Sequence, residues 1–243
     1  MSSTPSAILS LTLKHGLMPP LYMAVRDMLE GDHRIDNCVS VNHDMLDTSV
    51  SMGNIPLVFD NIAESPGHRA ALNVLERSRL CEMFEVSPGE LIDILAWAME
   101  NPSEPQIVES SEAQVMESGQ ESVDLEKLPI PWHFREDGGR YQSASIIIAE
   151  YGEVRNVSFH RQLLRDGQHT VARLVPRHLR TLSTMAAENG EDVQIAVVNG
   201  ADPTVLLAAA MSFTEYVDEL TVAAALHEKL HGSPLKVVCL LYT

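Results

Sequence analysis

The sequence predicts an α+β protein: a small N-terminal α/β domain over residues 1–115, then a split β-barrel domain over residues 116–243. Three observations lead there. First, β-branched runs at Ser143–Ala149, Val154–Leu163, Thr170–Val175, Val193–Val198 and Leu235–Leu240 alternate with helical segments at His178–Glu188, Pro203–Ala210 and Asp218–His231. Second, from Asn101 to Asp124 the composition shifts to Ser, Glu, Gln and Pro, which reads as a connector containing one short strand at Gln106–Glu109. Third, neither a GxGxxG nor a GxxxxGKS turn is present, so a doubly wound nucleotide-binding sheet is excluded.

The N-terminal elements follow in order. Ser2–Leu17 shows no clear pattern, Leu21–Leu29 suits a helix, and Asp32–Asp36 reads as a polar loop. Val39–Val41 and Pro56–Phe59 suit short strands. His68–Glu82 suits a helix, with Leu72, Leu75 and Leu80 near helical spacing. Ser87-Pro88-Gly89-Glu90 is a capping box with proline at the first helical position, followed by Leu91, Leu95, Ala98 and Met99 on one face. That helix stops near Asn101-Pro102. Two prolines in Leu128-Pro-Ile-Pro131 make the entry to the second domain extended. There, Tyr151-Gly152 turns the chain between the first two strands. Asp202-Pro203 supplies an N-cap and first helical residue, Asp218 caps the last helix, and Gly232 closes it.

A chain of 243 residues with 45% hydrophobic content buries a sizeable core. Its 34 acidic against 17 basic residues give a formal charge of −17, which excludes nucleic acid or an anionic membrane as partner. Cys38, Cys81 and Cys239 are far apart, odd in number and without CxxC spacing, as expected for reduced residues of a cytoplasmic protein. No apolar run reaches the roughly 18 residues of a membrane span, and Met1–Ser10 has no signal-peptide pattern.

The second strand of the second domain is unusually polar. A strand that only covered a core would not carry Arg155, Asn156, His160, Arg161 and Gln162 in eight residues. A further polar knot, Arg177-His178, follows Pro176 at a helix start, where backbone N–H groups favour an anion. Asn, His and Arg together with a carboxylate make a hard-metal and phosphate site. Arg155, Arg161, Arg173, Arg177 and Arg180 form a basic island in an otherwise negative chain. Taken alone, Asn156 would be a strand-edge amide, His178 a surface histidine and Arg161 a surface ion-pair partner. Strict alternation puts Asn156 and Arg161 on opposite faces, so one site holding both needs a bulge or strand end between them. Glu136-Asp137-Gly138-Gly139 reads as a turn, and His133, His227 and His231 as solvated or packed side chains.

The runs Asn156-Val-Ser-Phe-His-Arg161 and Val175-Pro-Arg-His178 resemble the cofactor-binding signature of the UbiD family of decarboxylases. Leu128-Pro-Ile-Pro131, Glu136-Asp-Gly-Gly-Arg-Tyr141, Asn199-Gly-Ala-Asp-Pro203 and Val217-Asp-Glu-Leu220 agree in order and spacing, so the resemblance spans roughly Pro56 to Val238. Ala172-Arg-Leu-Val-Pro-Arg-His178 looks closest to the archaeal branch acting on anhydromevalonate phosphate. The resemblance implies a flavin-binding split barrel and prenylated FMN, with manganese held by Asn156, His178 and Glu219 and potassium as a candidate second ion. Glu215 is the rival to Glu219; the family pattern places the ligand in the Val-Asp-Glu run. Arg161 matches the catalytic arginine. Arg177 is expected at the cofactor phosphate, and Val157, Ser158, Phe159 and His160 along the cofactor groove.

The implied activity is non-oxidative decarboxylation of an α,β-unsaturated or aromatic acid. trans-Anhydromevalonate 5-phosphate is the preferred substrate and a polyprenyl 4-hydroxybenzoate the next. A flavin prenyltransferase would supply the cofactor. The family's proton-donating carboxylic acid lies downstream of the metal-binding glutamate, beyond Thr243. The chain therefore reads as the N-terminal half to two-thirds of such an enzyme, working as a homo-oligomer or with a second polypeptide, or else as a non-catalytic flavin- and metal-binding module.

Overall fold

The computed structural model describes residues 8–10, 33–113, 123–213 and 216–238. The Leu21–Leu29 helix, Glu215 and Cys239 lie outside the described residues.

The chain opens with β1 (Ile8–Ser10) and then builds a small sheet from β2 (His33–Ile35), β3 (Leu57–Phe59) and β4 (Ala70–Leu72). In it β2 runs parallel and β4 antiparallel to the central β3, and α1 (Asp44–Ser51) packs nearby. Val41, Met45, Leu57, Phe59 and Ile62 fill the space between them. Three expectations are corrected here. Asp32–Asp36 is not a loop throughout, because His33–Ile35 pairs with β3 and Arg34 grips Asp60 through two hydrogen bonds of 2.7 and 2.6 Å. Val39–Val41 forms an isolated bridge from Val39 to Ile62 rather than a strand. His68–Glu82 is not one helix: Ala70–Leu72 joins β3, and Asn73 turns the chain with a positive φ of 60°. The Asn73 amide donates to Ile55 O and Ser49 Oγ, and the helix begins only at α2 (Arg77–Met83), capped by Glu76. Leucine spacing suggests a helix there, but an available sheet edge captures the first half.

The helix α3 (Pro88–Glu100) starts at the Ser87/Glu90 capping box as the sequence predicts. The connector contains β5 (Gln106–Ile107), paired in parallel with β12 (Lys236–Val237). Between them lie β6 (Tyr141–Gln142), β7 (Ile146–Tyr151), β8 (Val154–Phe159), β9 (Gln162–Leu164) and β10 (Thr170–Ala172). They are followed by α4 (His178–Glu188), β11 (Gln194–Val198), α5 (Pro203–Ala210) and α6 (Glu219–His231). Helix limits match the sequence reading within a residue, because the caps are local: Asp202 accepts from Thr204 N–H, Asp218 from Leu220 N–H, and Gly232 adopts φ 66°. Val154–Leu163 is two strands rather than one, broken at His160-Arg161.

The strands order as β1-β11-β7-β8 and β10-β9-β6, and the described strands close no barrel. The fold is a mixed α and β architecture. In the four-stranded sheet, Ile147, Ala149 and Val197 face Leu179 and Leu182 of α4. Ile146, Ile148, Val157 and Phe159 pack in the core that α5, α6 and Ala98 of α3 complete. Helices therefore cover both faces, and β8 is left at the edge. No described helix is long and apolar enough to cross a membrane.

Two outcomes follow. Ser87→Ala removes the hydroxyl that accepts from Glu90 N–H and should lower stability by about 1 kcal/mol in a denaturant titration; an unchanged midpoint would refute the capping role. His231 lies against the buried His227, ring centroids 4.7 Å apart. Burial first, and then repulsion from His227, lower its pKa, with Asp202 opposing. The folded state thus disfavours the proton, so this contribution is complete above the unfolded value of about 6.5 and is lost as pH falls below it. Melting temperature should drop between about pH 7.5 and about pH 5.5, and His231→Gln should flatten that drop. An equal slope in the variant would assign it elsewhere.

Candidate functional site

The free edge of β8 organises the site. In the β7–β8 ladder Asn156 lies opposite Ala149, and so shares the face that α4 covers; Val157 lies opposite Ile148, on the face that α5 and α6 cover. An edge strand has outward N–H groups to satisfy. On β8 side chains do this. Val157 N–H donates to Glu219 Oε2 at 2.8 Å, and Asn156 Nδ2 donates to Glu219 Oε1 at 2.8 Å. Glu219 is the first residue of α6, so the helix start places its carboxylate around the sheet edge. His178, first residue of α4, brings Nδ1 to 3.9 Å from Glu219 Oε1. Asn156 and Glu219 are 3% and 4% exposed. A strand, a helix from one face and a helix from the other thus bring an amide, an imidazole and a carboxylate together.

Burial raises the Glu219 pKa above the ordinary carboxylate value, opposed by the Val157 N–H and by His178. A carboxylate with few compensating donors in such a place is a good cation ligand. No three His, Cys, Asp or Glu side chains form a metal-type cluster among the described residues; the donor set here depends on an amide. Its amide and carboxylate oxygens and imidazole nitrogen suit a hard or borderline divalent ion such as manganese.

A polar file runs on from Asn156. Ser158 Oγ donates to Asn156 Oδ1 at 2.8 Å, and His160 Nε2 lies 3.0 Å from Ser158 Oγ. Burial lowers the His160 pKa, offset in part by the Arg173 carbonyl. Phe159 packs in the core beside Val157. Arg161 sits in the two-residue break between β8 and β9, its guanidinium 5.7 Å from the centre of the Tyr141 ring. The strand end that alternation required is present.

The residue Arg177 donates from Nη1 to Ser212 Oγ at 3.1 Å and stands at the N-cap of α4 without a capping side-chain bond. Helices α2, α3, α5 and α6 have such caps and α1, like α4, has none; the first-turn N–H groups of α4 thus carry no capping side chain that would compete with an anion. Asp137 Oδ2 accepts from Phe134 N–H, as a turn residue does. A shallow groove of about 580 Å³ along α4 is lined by Ala172, Leu174, Arg180 and Ser183 among others, and none of the three donors lines it.

Sequence reasoning placed Arg155 in a basic island and overlooked Tyr216 and the second role of Asp218. Arg155 Nε and Nη2 donate to Asp218 Oδ2 at 2.9 and 2.5 Å. Tyr216 Oη accepts from Arg155 N–H at 2.7 Å and donates to Arg155 O at 2.5 Å, while its ring stands edge-on to His178 at 5.6 Å. The dipeptide Arg155-Asn156 therefore meets the dipeptide Asp218-Glu219 residue by residue. That complementarity of an arginine-amide pair to an adjacent acidic pair was the signal available in the sequence.

Comparison with known proteins gives the family. A protein from Methanosarcina mazei named anhydromevalonate phosphate decarboxylase is 36% identical over 184 residues, covering 75% of this chain and 41% of that one. The protein of the same name from Methanothermobacter thermautotrophicus is 40% identical over 154 residues, covering 63% and 36%. An evolved dimeric form of the UbiD-class enzyme HmfF from Pelotomaculum thermopropionicum, solved in complex with prFMN, superposes with a TM-score of 0.82 at 29% identity over 90% of this chain and 53% of that one. Vanillic acid decarboxylase from Sedimentibacter hydroxybenzoicus, at 18% identity and a TM-score of 0.79, shares the fold over 90% and 51%. The chain thus spans about two fifths of these curated relatives and about half of the solved ones. The profile of the family described as 3-octaprenyl-4-hydroxybenzoate carboxy-lyase Rift-related domain matches residues 106–241, and with more than half of its length so matched, the chain belongs to the UbiD family.

Proposed function

We propose that this chain is the flavin- and metal-binding part of a prenylated-FMN-dependent decarboxylase of an α,β-unsaturated or aromatic acid, with trans-anhydromevalonate 5-phosphate as the preferred substrate. The observation that carries the proposal is the convergence of Asn156, His178 and Glu219 at one buried strand edge beside the uncapped start of α4. The substrate assignment rests on the relatives named for that compound; a polyprenyl 4-hydroxybenzoate is the alternative. The split barrel belongs to the same proposal, as do the two domains, 1–115 and 116–243.

In this reading Asn156, His178 and Glu219 hold a divalent manganese ion at the cofactor phosphate, with potassium as a second candidate ion. Arg177 and the first-turn N–H groups of α4 hold the phosphate. Val157, Ser158, Phe159 and His160 line the groove beside the cofactor. Prenylated FMN, when bound, supplies the electron sink for a non-oxidative decarboxylation. Arg161 orients the substrate carboxylate through its two-pronged guanidinium, held against the Tyr141 ring. The proton returned to carbon comes from a carboxylic acid outside these residues, supplied by a downstream region or a second polypeptide. A flavin prenyltransferase supplies the cofactor, and a homo-oligomer is the expected assembly.

The first test is coexpression with a flavin prenyltransferase, followed by an absorbance spectrum and metal analysis. Bound prenylated flavin and manganese are expected, and His178→Ala should lose both. A folded protein that is colourless and metal-free would overturn the proposal. In an enzyme reconstituted with the downstream region, Arg161→Lys should keep the flavin spectrum while turnover falls roughly 100-fold through misplacement of the substrate. Undiminished turnover would remove Arg161 from the chemistry. If the flavin and metal load but the reconstituted protein turns over no acid, the chain is a binding module instead.

A further inference from the structure

We infer that Arg155, Tyr216 and Asp218 form a bracket that positions the metal-binding groups; this rests on the site reading proposed above. Glu219 is asked to do two things at once. With both oxygens engaged by Asn156 Nδ2 and the Val157 N–H, Glu219 is itself the tie between β8 and α6. Each oxygen keeps a second lone pair for a cation, but a cation there would draw electron density from both oxygens and weaken the two hydrogen bonds of that tie. A second, independent tie is therefore needed at the same junction, made by groups that do not contact the ion.

The bracket meets that need. Asp218 Oδ2 receives both Nε and Nη2 of Arg155, while Asp218 Oδ1 receives Leu220 N–H and caps α6. One carboxylate thereby fixes the strand side chain to the helix start immediately before Glu219. Tyr216 adds two bonds to the Arg155 backbone, one to each of its outward-facing groups, in the manner of a neighbouring strand. Its ring contact with His178 ties the third donor to the same frame. The Arg155–Asp218 pair is partly buried, at 30% and 18% side-chain exposure, so water screens it only in part. None of the four bracket bonds uses an atom of Asn156, His178 or Glu219. All four are therefore independent of what Glu219 binds.

The bracket is tested on the whole 243-residue chain by titrating Mn2+ in the presence of FMN and following free Mn2+ by electron paramagnetic resonance. Tyr216→Phe keeps the ring beside His178 and removes the hydroxyl; Asp218→Asn keeps a helix-capping oxygen and removes the charge. Each should weaken Mn2+ binding about 10- to 100-fold, the usual effect of losing a group that orients a ligand. Ser87→Ala, which loosens α3 away from β8, is the control for a general loss of stability and should leave the affinity unchanged. If wild type binds Mn2+ and both bracket variants bind as tightly, or the control weakens binding as much, the bracket is overturned while the site reading stands. If wild type binds no Mn2+, the site reading falls and the bracket with it.

Discussion

The hydrogen bond from Val157 N–H to Glu219 Oε2 is the constraint on which the rest of the site depends. An edge strand inside a helix-covered sheet must find acceptors for its outward amides, and another strand is the usual solution. Here a side chain replaces the strand. A carboxylate is a costly replacement, because a buried negative charge met by two N–H donors is under-compensated, and burial accordingly raises the Glu219 pKa. The same under-compensation makes the position suited to a cation. The two oxygens that close the edge are the same two that the proposed function assigns to a hard ion.

The surrounding core explains why the first residue of α6 reaches that edge. Helices α5 and α6 are rich in alanine on their buried sides, with Ala208, Ala209, Ala223, Ala224 and Ala225 all in one cluster with Ile146 and Val157. Small side chains let helix axes approach closely, and the start of α6 consequently lies near the sheet rather than one large side chain away. On the opposite face, Leu179 and Leu182 of α4 seat against Ile147 and Ala149, which brings His178 to the edge from the other side. The two helix starts meet where the sheet stops.

What the sequence made legible was local. Ser87, Asp202, Asp218 and Gly232 act through bonds to residues a few positions away, and the helices they bound appear where expected. The break at His160-Arg161 was legible as a requirement, since one face could not present both Asn156 and Arg161. The failures were non-local. His33–Ile35 and Ala70–Leu72 are strands because β3 offers them an edge, and neither carries a strong strand pattern of its own. Tyr216 was missed for the same reason. Its partner is 61 residues away, and nothing near it in sequence asks for one.

The charge distribution sharpens the functional argument. Of the five arginines that looked like one basic island, Arg155 is committed to Asp218 and adds little positive charge to an anion site. In the proposed function the phosphate must then be met by groups that are not so committed. The start of α4 supplies backbone N–H groups without a side-chain cap, and Arg177 stands at that cap position with a neutral serine hydroxyl as partner. In a chain of formal charge −17, an anion is held by local dipoles and one or two aimed cations, while the long-range field opposes it. In the proposed function a divalent ion on Asn156, His178 and Glu219 would resolve that opposition at short range. Such an ion would neutralise Glu219 and attract the phosphate, so each ligand would make the other less costly to bind. In that proposal metal and flavin would bind as a coupled pair, and the strand edge that needs Glu219 would be the element that couples them.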